Sequence, residues 1–396
     1  MRRFGDLPTR LVPYLEAGDP PADAAVAALA EIPGPERHAV VHEALAGTPR
    51  RSLPALDQLV AGARRVPPWV DWERLDRAAS LFRRAGLLGG ITLGLKSLVF
   101  GYAAPAGNKP LAFSGRLTTQ ADRRLAETGR FVAAVCQPGG LRPGELGWQL
   151  SLEVRLMHAQ VRRLLLASGR WSHELWGFPI NQHDMMATVL LFSKVFVDGL
   201  RQLGLSVSAQ EADDYQHLWR WVGHLLGVVP ELLPTTYGEA SRLADFVHLT
   251  QGPPDDDSRA LVRALLEGPR RRARQRAEHD LGAAAGAQDP GIRRELRLAE
   301  AHVAAASAVC RTLIGDELAD ALGLEDSKYR HVTRGVRLVT RALEEVRRHS
   351  SSLQQGLERL GDRYWAASVA AGLGGLPAVY ALPERLDGSA SGLWAH

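Results

Sequence analysis

The sequence is poor in cysteine, in aromatic rings and in charge of one sign. Its 396 residues hold two cysteines, Cys136 and Cys310, neither in a CxxC pair and neither followed by the His of CxxCH. That excludes a disulfide framework, a zinc ribbon and thioether-linked haem, and leaves two reduced core thiols. Aromatic residues make up 6% of the chain, although nine are Trp. The formal net charge is +4, with most arginines interleaved with acids, so nucleic acid is not an expected partner. GxGxxG, the Walker A motif and GxSxG are all missing. His42-Glu43 and His173-Glu174 begin like HExxH but lack the second histidine. Nucleotide, esterase and zinc-hydrolase chemistries therefore have no sequence support. Arg2-Arg3 is followed by no apolar run, so a secretion signal is not expected and the expected location is cytoplasmic. The most apolar stretch, 87–104, carries Lys96 and is expected to be broken by its glycines, Gly89, Gly90, Gly94 and Gly101. A bilayer span needs about 20 mostly apolar residues. The stretch is read as a buried wall, with no stable membrane insertion.

What is present points to helices. The chain is 45% hydrophobic and rich in Ala, Leu and Arg, all good helix formers. The expected class is all-α, with enough apolar residues for a large core. Proline pairs at 20–21 and 67–68 punctuate an N-terminal helical arm over 1–72. A core follows over 73–250, then C-terminal helices and an irregular tail over 251–396. Within the core, 145–168 reads as one helix and 179–204 as another, with a loop at 138–144 between Pro138 and Gly144. Ser208 and Glu211 form a capping box for the helix that carries Trp219 and Trp221. The basic run 269–276 reads as a solvated helix start or loop.

One face of the 145–168 helix stands out. Arg155, His158 and Arg162 are spaced by three and four residues, so they share a side. The arginines lie ~10 Å apart along the axis. An imidazole between two cations is an odd general base. It suits an iron porphyrin, with the ring nitrogen on the metal and the guanidinium forks on the propionates. From the pattern alone, a structural helix face and another anion site remain alternatives. Upstream, Arg124 and Thr128 are one turn apart. A guanidinium beside a hydroxyl can hold dioxygen, water or a substrate oxygen, and the alternative is a surface helix in a basic chain. His183 beside Asp184 could be a second axial ligand or a helix-start cluster. His217 and His224 could share a metal or simply pack. Arg334 or Arg337, in a run of arginines at helical spacing, could fold back to a propionate or lie on a solvated face.

Together these motifs resemble the latex-clearing (rubber oxygenase) family, which includes the related MpaB-type oxygenases. The resemblance is carried by Arg124-x-x-x-Thr128 and Arg155-x-x-His158-x-x-x-Arg162, and by the stretch Pro179 to Met185 with Thr188, Phe192 and Ser193. Leu218-Trp219-Arg220-Trp221-Val222-Gly223-His224-Leu225-Leu226-Gly227 adds to it, and the likeness runs over about 75–250. It implies a globin-like helical core with one haem b. His158 would be the proximal ligand, Arg155 and Arg162 would hold or adjoin the haem, and Arg124 and Thr128 would line the distal pocket. It further implies an oxygenase that activates dioxygen opposite His158. The substrate would be an apolar small molecule such as an isoprenoid or other olefin, with C=C cleavage as one outcome. The electron donor is unidentified. The alternative on the same fold is a non-oxygenase haem protein: a sensor, a carrier or a peroxide-using enzyme. The chain departs from the rubber-cleaving members in three respects. A secretion signal is not seen. Residues 103–116 hold no acid where a distal glutamate is expected, with Asn108 and Lys109 nearby. Glu127 stands before Thr128 where lysine is frequent, and it either replaces the missing base or points to solvent.

Overall fold

A computed structural model describes residues 4–114, 121–281, 289–327, 329–373 and 382–386. Among them there are helices and turns and no strand. The axis of the core is the helix Trp72–Thr92. Asp71 caps it, accepting from the amides of Glu73 at 3.0 Å and Arg74 at 3.2 Å. The helix runs through a π-helical turn, Leu93–Ser97, into Leu98–Ala103. The glycines that were expected to break this stretch do not. Each missing side chain costs helix propensity, and burial outweighs it. By length and composition Trp72–Ala103 could cross a membrane, and half of its most apolar window is buried inside the protein. Lys96 is itself buried and donates to Gln202 Oε1 and to the Leu313 carbonyl, both at 2.7 Å.

Helices Ala209–Leu225 and Ser351–Leu373 pack along this axis. The second crosses it in backbone contact at two glycines. Gly86 has φ of 43°, and a Cβ on Gly361 would lie 1.7 Å from the Arg83 carbonyl oxygen. Neither position tolerates a side chain. Arg83 then ties the crossing, bonding Asp362 at 2.6 Å and Glu358 at 3.2 Å.

Two further pieces build the site. Ala121–Val135 and Leu146–Ala167 pack as a helical hairpin through the expected loop. The N-terminal helices Pro20–Ala30, Gly34–Ala46 and Pro54–Arg64 each carry proline in the first turn, where its missing N–H costs nothing. Pro20–Ala30 packs on Pro54–Arg64 and on Leu146–Ala167, so the N-terminal segment is part of the core's wall.

The stretch 179–204 divides into Gln182–Phe192 and Lys194–Gln202, with Ser193 leaving helical geometry between them. Its start is capped by Asn181, whose Oδ1 accepts from the Asp184 amide at 2.8 Å. The Ser208–Glu211 capping box is present. The basic run lies in the helix Gly268–Leu281, and Arg272 reaches Asp122 at 2.9 Å. In the C-terminal region, Ser351–Leu373 is helical, while most of the segment read as a tail, 374–381 and 387–396, lies outside the described residues.

Candidate functional site

His158 sits past the middle of Leu146–Ala167. Its Nδ1 is sealed from solvent and has no hydrogen-bond partner among the described residues. The ring as a whole is only half-buried, so other ring atoms face accessible space. Protein encloses it closely enough to push its pKa down to about 4. Burial is the main cause; the nearby Arg162 and then Arg124 push the same way, and Asp19 opposes them. At neutral pH the imidazole is uncharged and its lone pair is available to a metal.

The flanking arginines are held by carboxylates from the N-terminal segment. Arg155 grips Asp19 with two parallel bonds, Nε to Oδ2 at 2.7 Å and Nη2 to Oδ1 at 2.8 Å. Asp19 is 3% exposed. Gly227 closes over this pair: its φ is 88°, and a Cβ there would lie 2.3 Å from Asp19 Oδ2 and 2.5 Å from Arg155 Nε. Arg162, 1% exposed, donates Nη1 to Asp23 and Nε to the Pro179 carbonyl at 3.0 Å. Its Nη2 donates to the Ile180 carbonyl at 2.9 Å. Burial raises the Asp23 carboxyl above its ordinary value against the pull of Arg162. Ile180 has φ of 52°, a strained conformation for a β-branched residue, and Arg162 helps hold it. Gln182 completes the seam, donating to the Gly18 carbonyl at 2.8 Å and the Gly227 carbonyl at 2.9 Å. The motif residues 179–182 thus bind the N-terminal segment to the histidine helix. Asp19 and Asp23 were not picked out from the sequence, and only a pairing of distant charges in space reveals them.

Arg124 lies close enough to His158 to disfavour its protonated form, more weakly than Arg162 does. Its Nη1 donates to Glu127 Oε2 at 3.1 Å, and Arg123 donates to the other oxygen, also at 3.1 Å. Glu127 is 9% exposed, so the solvent-directed reading gives way to a carboxylate pinned between two cations. Thr128 donates its hydroxyl to the Arg124 carbonyl at 3.0 Å. One turn on, Phe131 meets Trp219 edge to face, and Trp219 stacks on Phe192 with centroids 4.9 Å apart. These rings belong to the buried core on which this helix packs.

A third acid was missed. Glu153, on the histidine helix, is half-buried, and its pKa is pushed up to about 7 by burial, opposed by Arg130 across the hairpin. His217 accepts from the Asp71 amide at 3.1 Å, and His224 stacks on Trp221. Trp69 lies edge-on to both, so the two histidines pack rather than converge on a metal. Among the described residues there is no cluster of three metal-binding side chains. His183 bonds Asp184 at 3.3 Å, the helix-start arrangement. Arg337 donates to the Gln202 carbonyl at 2.7 Å and Arg334 is exposed, so neither folds toward His158. Asn108 and Lys109 turn to the capped start of the helix Asp256–Leu266, with Asn108 bonding Ser258 at 2.9 Å and Lys109 bonding the N-cap Asp255 at 2.6 Å. A cleft of about 830 Å³ opens elsewhere, walled by Phe100, Thr188, Leu191, Lys194 and Asp198, and none of the predicted site residues lines it.

The described residues form an all-helical protein in which the half-buried His158 sits between two arginines held by aspartates. The fold is similar to a solved structure described as "Structure of Latex Clearing Protein LCP in the closed state". The TM-score is 0.67, with 89% of this chain and 91% of that chain covered at 24% identity. A family model described as "ER-bound oxygenase mpaB/B'/Rubber oxygenase, catalytic domain" matches residues 72–345, and the chain belongs to this family. It is 30% identical over 188 residues to the Rubber oxygenase of Streptomyces sp. (strain K30), covering 47% of this chain and 46% of that relative. The alignment thus spans about half of the curated relative's length.

Proposed function

We propose that the protein is a haem b-dependent oxygenase that uses dioxygen to oxidise an apolar olefin of the isoprenoid class. The observation that carries this reading is His158: a half-buried, neutral imidazole on a helix that lies within the part matched by the oxygenase family model. When bound, haem supplies the activation of dioxygen. His158 offers it an uncharged nitrogen ligand. Arg124 supplies positive charge toward the same region and is kept there by Glu127. Thr128 has its hydroxyl hydrogen on its own helix, which leaves the oxygen as an acceptor. Phe131, Phe192 and Trp219 keep that side apolar. Arg162 has all three nitrogens bonded within the protein, so its part is to fix the histidine helix rather than to meet a propionate.

A non-oxygenase haem protein is the second reading. It is favoured by Glu127, whose two oxygens are both occupied by arginines and do not offer a free base. Full-length protein supplied with haem, reduced and mixed in air with a short polyisoprenoid, separates the two. The oxygenase reading predicts carbonyl-ended or hydroxylated products by mass spectrometry, lost in His158→Ala. A stable oxygen complex with no product contradicts it and supports the binder.

A further inference from the structure

We infer that Asp19 and Asp23 are positioning residues of the His158 site, and that the segment around 15–23 is a clamp that fixes the helix face on which His158 lies and seals its Nδ1. This inference deepens the haem reading and rests on it only for what the imidazole binds. Both aspartates precede the part matched by the family model, which begins at 72.

The geometry is that of a built clamp. Two arginines, one turn before and one turn after His158, each take a carboxylate from the N-terminal segment. Asp19 also caps the helix that carries Asp23, accepting from the Ala22 amide at 3.4 Å. One residue therefore sets both the start of that helix and its attachment to Arg155. The backbone is stitched alongside. The Phe178 amide donates to the Leu15 carbonyl and the Gln182 amide to the Ala17 carbonyl, both at 2.8 Å. Gln182 reaches the Gly18 carbonyl with its side chain. Gly227 leaves the space that the Asp19–Arg155 pair fills. An exposed ion pair could rearrange at little cost, whereas this buried pair cannot lose one partner without stranding a charge. The clamp and the histidine helix are thus held as one unit, and loosening either carboxylate frees the face on which His158 lies.

The test uses full-length protein with Asp19→Asn, Asp23→Asn and the double variant Asp19→Asn/Arg155→Gln. The probe is diethyl pyrocarbonate, which modifies accessible neutral imidazoles, with each histidine read by mass spectrometry. Exposed His302 and His349 serve as internal references. Wild-type His158, half-buried with its Nδ1 sealed, should react more slowly than the exposed references. Asp19→Asn and Asp23→Asn should each speed its modification about tenfold or more through local opening, with the references unchanged. The double variant removes both buried charges and should recover the melting temperature while His158 stays reactive. A merely structural pair would restore both. If Asp19→Asn does not fold, Asp23→Asn carries the test, because Asp23 is partly exposed. Unchanged His158 protection in the folded variants overturns the clamp. In haem-loaded protein the same variants should shift the absorption bands of the histidine-ligated state. Wild type that takes up no haem sinks the haem reading alone, because protection of His158 is measured without it.

Discussion

Two cationic motifs surround His158, and they are neutralised in opposite ways. Arg155 and Arg162 take carboxylates more than 130 residues away in sequence; the Asp19 pair is almost closed to solvent, and in the other pair Arg162 is buried while Asp23 is partly exposed. Arg124 takes Glu127, three residues along its own helix, and its side chain is 27% exposed. The first arrangement is set by tertiary folding and is rigid. The second is local, of the kind worth a few tenths of a kcal/mol on a helix surface, and it can rearrange. The contrast gives Arg155 and Arg162 the part of fixing the His158 helix. It leaves the Arg124–Thr128 helix free to respond to what binds.

That contrast is broken or sharpened most strongly at Asp19. Asp19→Ala leaves a buried guanidinium unpaired and should lower the unfolding free energy by about 3–5 kcal/mol in urea titrations. A loss below about 1 kcal/mol, the size expected of a surface pair, would erase the distinction. Gly227→Ala should come next, at about 2–3 kcal/mol, since the added methyl meets both members of the pair in a left-handed backbone conformation. An unchanged melting temperature would show that the pair is looser than described.

Smaller effects follow from titration. Glu153 holds a proton in the fold up to about 7, above the ordinary carboxyl value of 4.5, so it favours folding at low pH and opposes it once ionised. Glu153→Gln should therefore gain about 1–2 kcal/mol at pH 8 and nothing at pH 4.5. A gain of equal size at both pH values would rule out ionisation as the cause. His158 and His217 run the other way. Both have folded values near 4 against 6.5 when unfolded, so the unfolded chain takes up their protons first. Stability should fall as pH drops from about 6.5 to 4, less steeply in His217→Gln. The smallest effect belongs to Glu127→Gln, at under about 1 kcal/mol, because its arginines can turn to solvent. A loss comparable to that of Asp19→Ala would put the two motifs in one class.

Much of this was legible in the chain. The 145–168 helix, the capping box at Ser208 and the shared face of Arg155, His158 and Arg162 follow from period and spacing, which are local properties. The glycine-rich stretch around Gly89 and Gly94 misled, because helix propensity says nothing about a helix buried between two others. The break at Ser193 carries no proline or glycine to announce it. Asp19 and Asp23 stood in an arm that seemed separable by its prolines, and their partners are set by packing that no spacing rule reaches. Glu153 carries no motif, and its perturbed carboxyl arises from burial against Arg130. The arginines beside His158 were read as holding or adjoining a haem, with a structural helix face as the alternative. The charge balance of the folded state turns them inward to aspartates.

The central claim is that His158 is the ligand of an iron porphyrin. The most direct measurement is the visible spectrum and iron content of full-length protein, expressed with haem supplied, for wild type and His158→Ala. The account predicts a strong Soret band with about one iron per chain in wild type, and its loss or a marked shift in the variant, with helical content unchanged. A wild type without the band, or a variant with the band and iron unaltered, contradicts it.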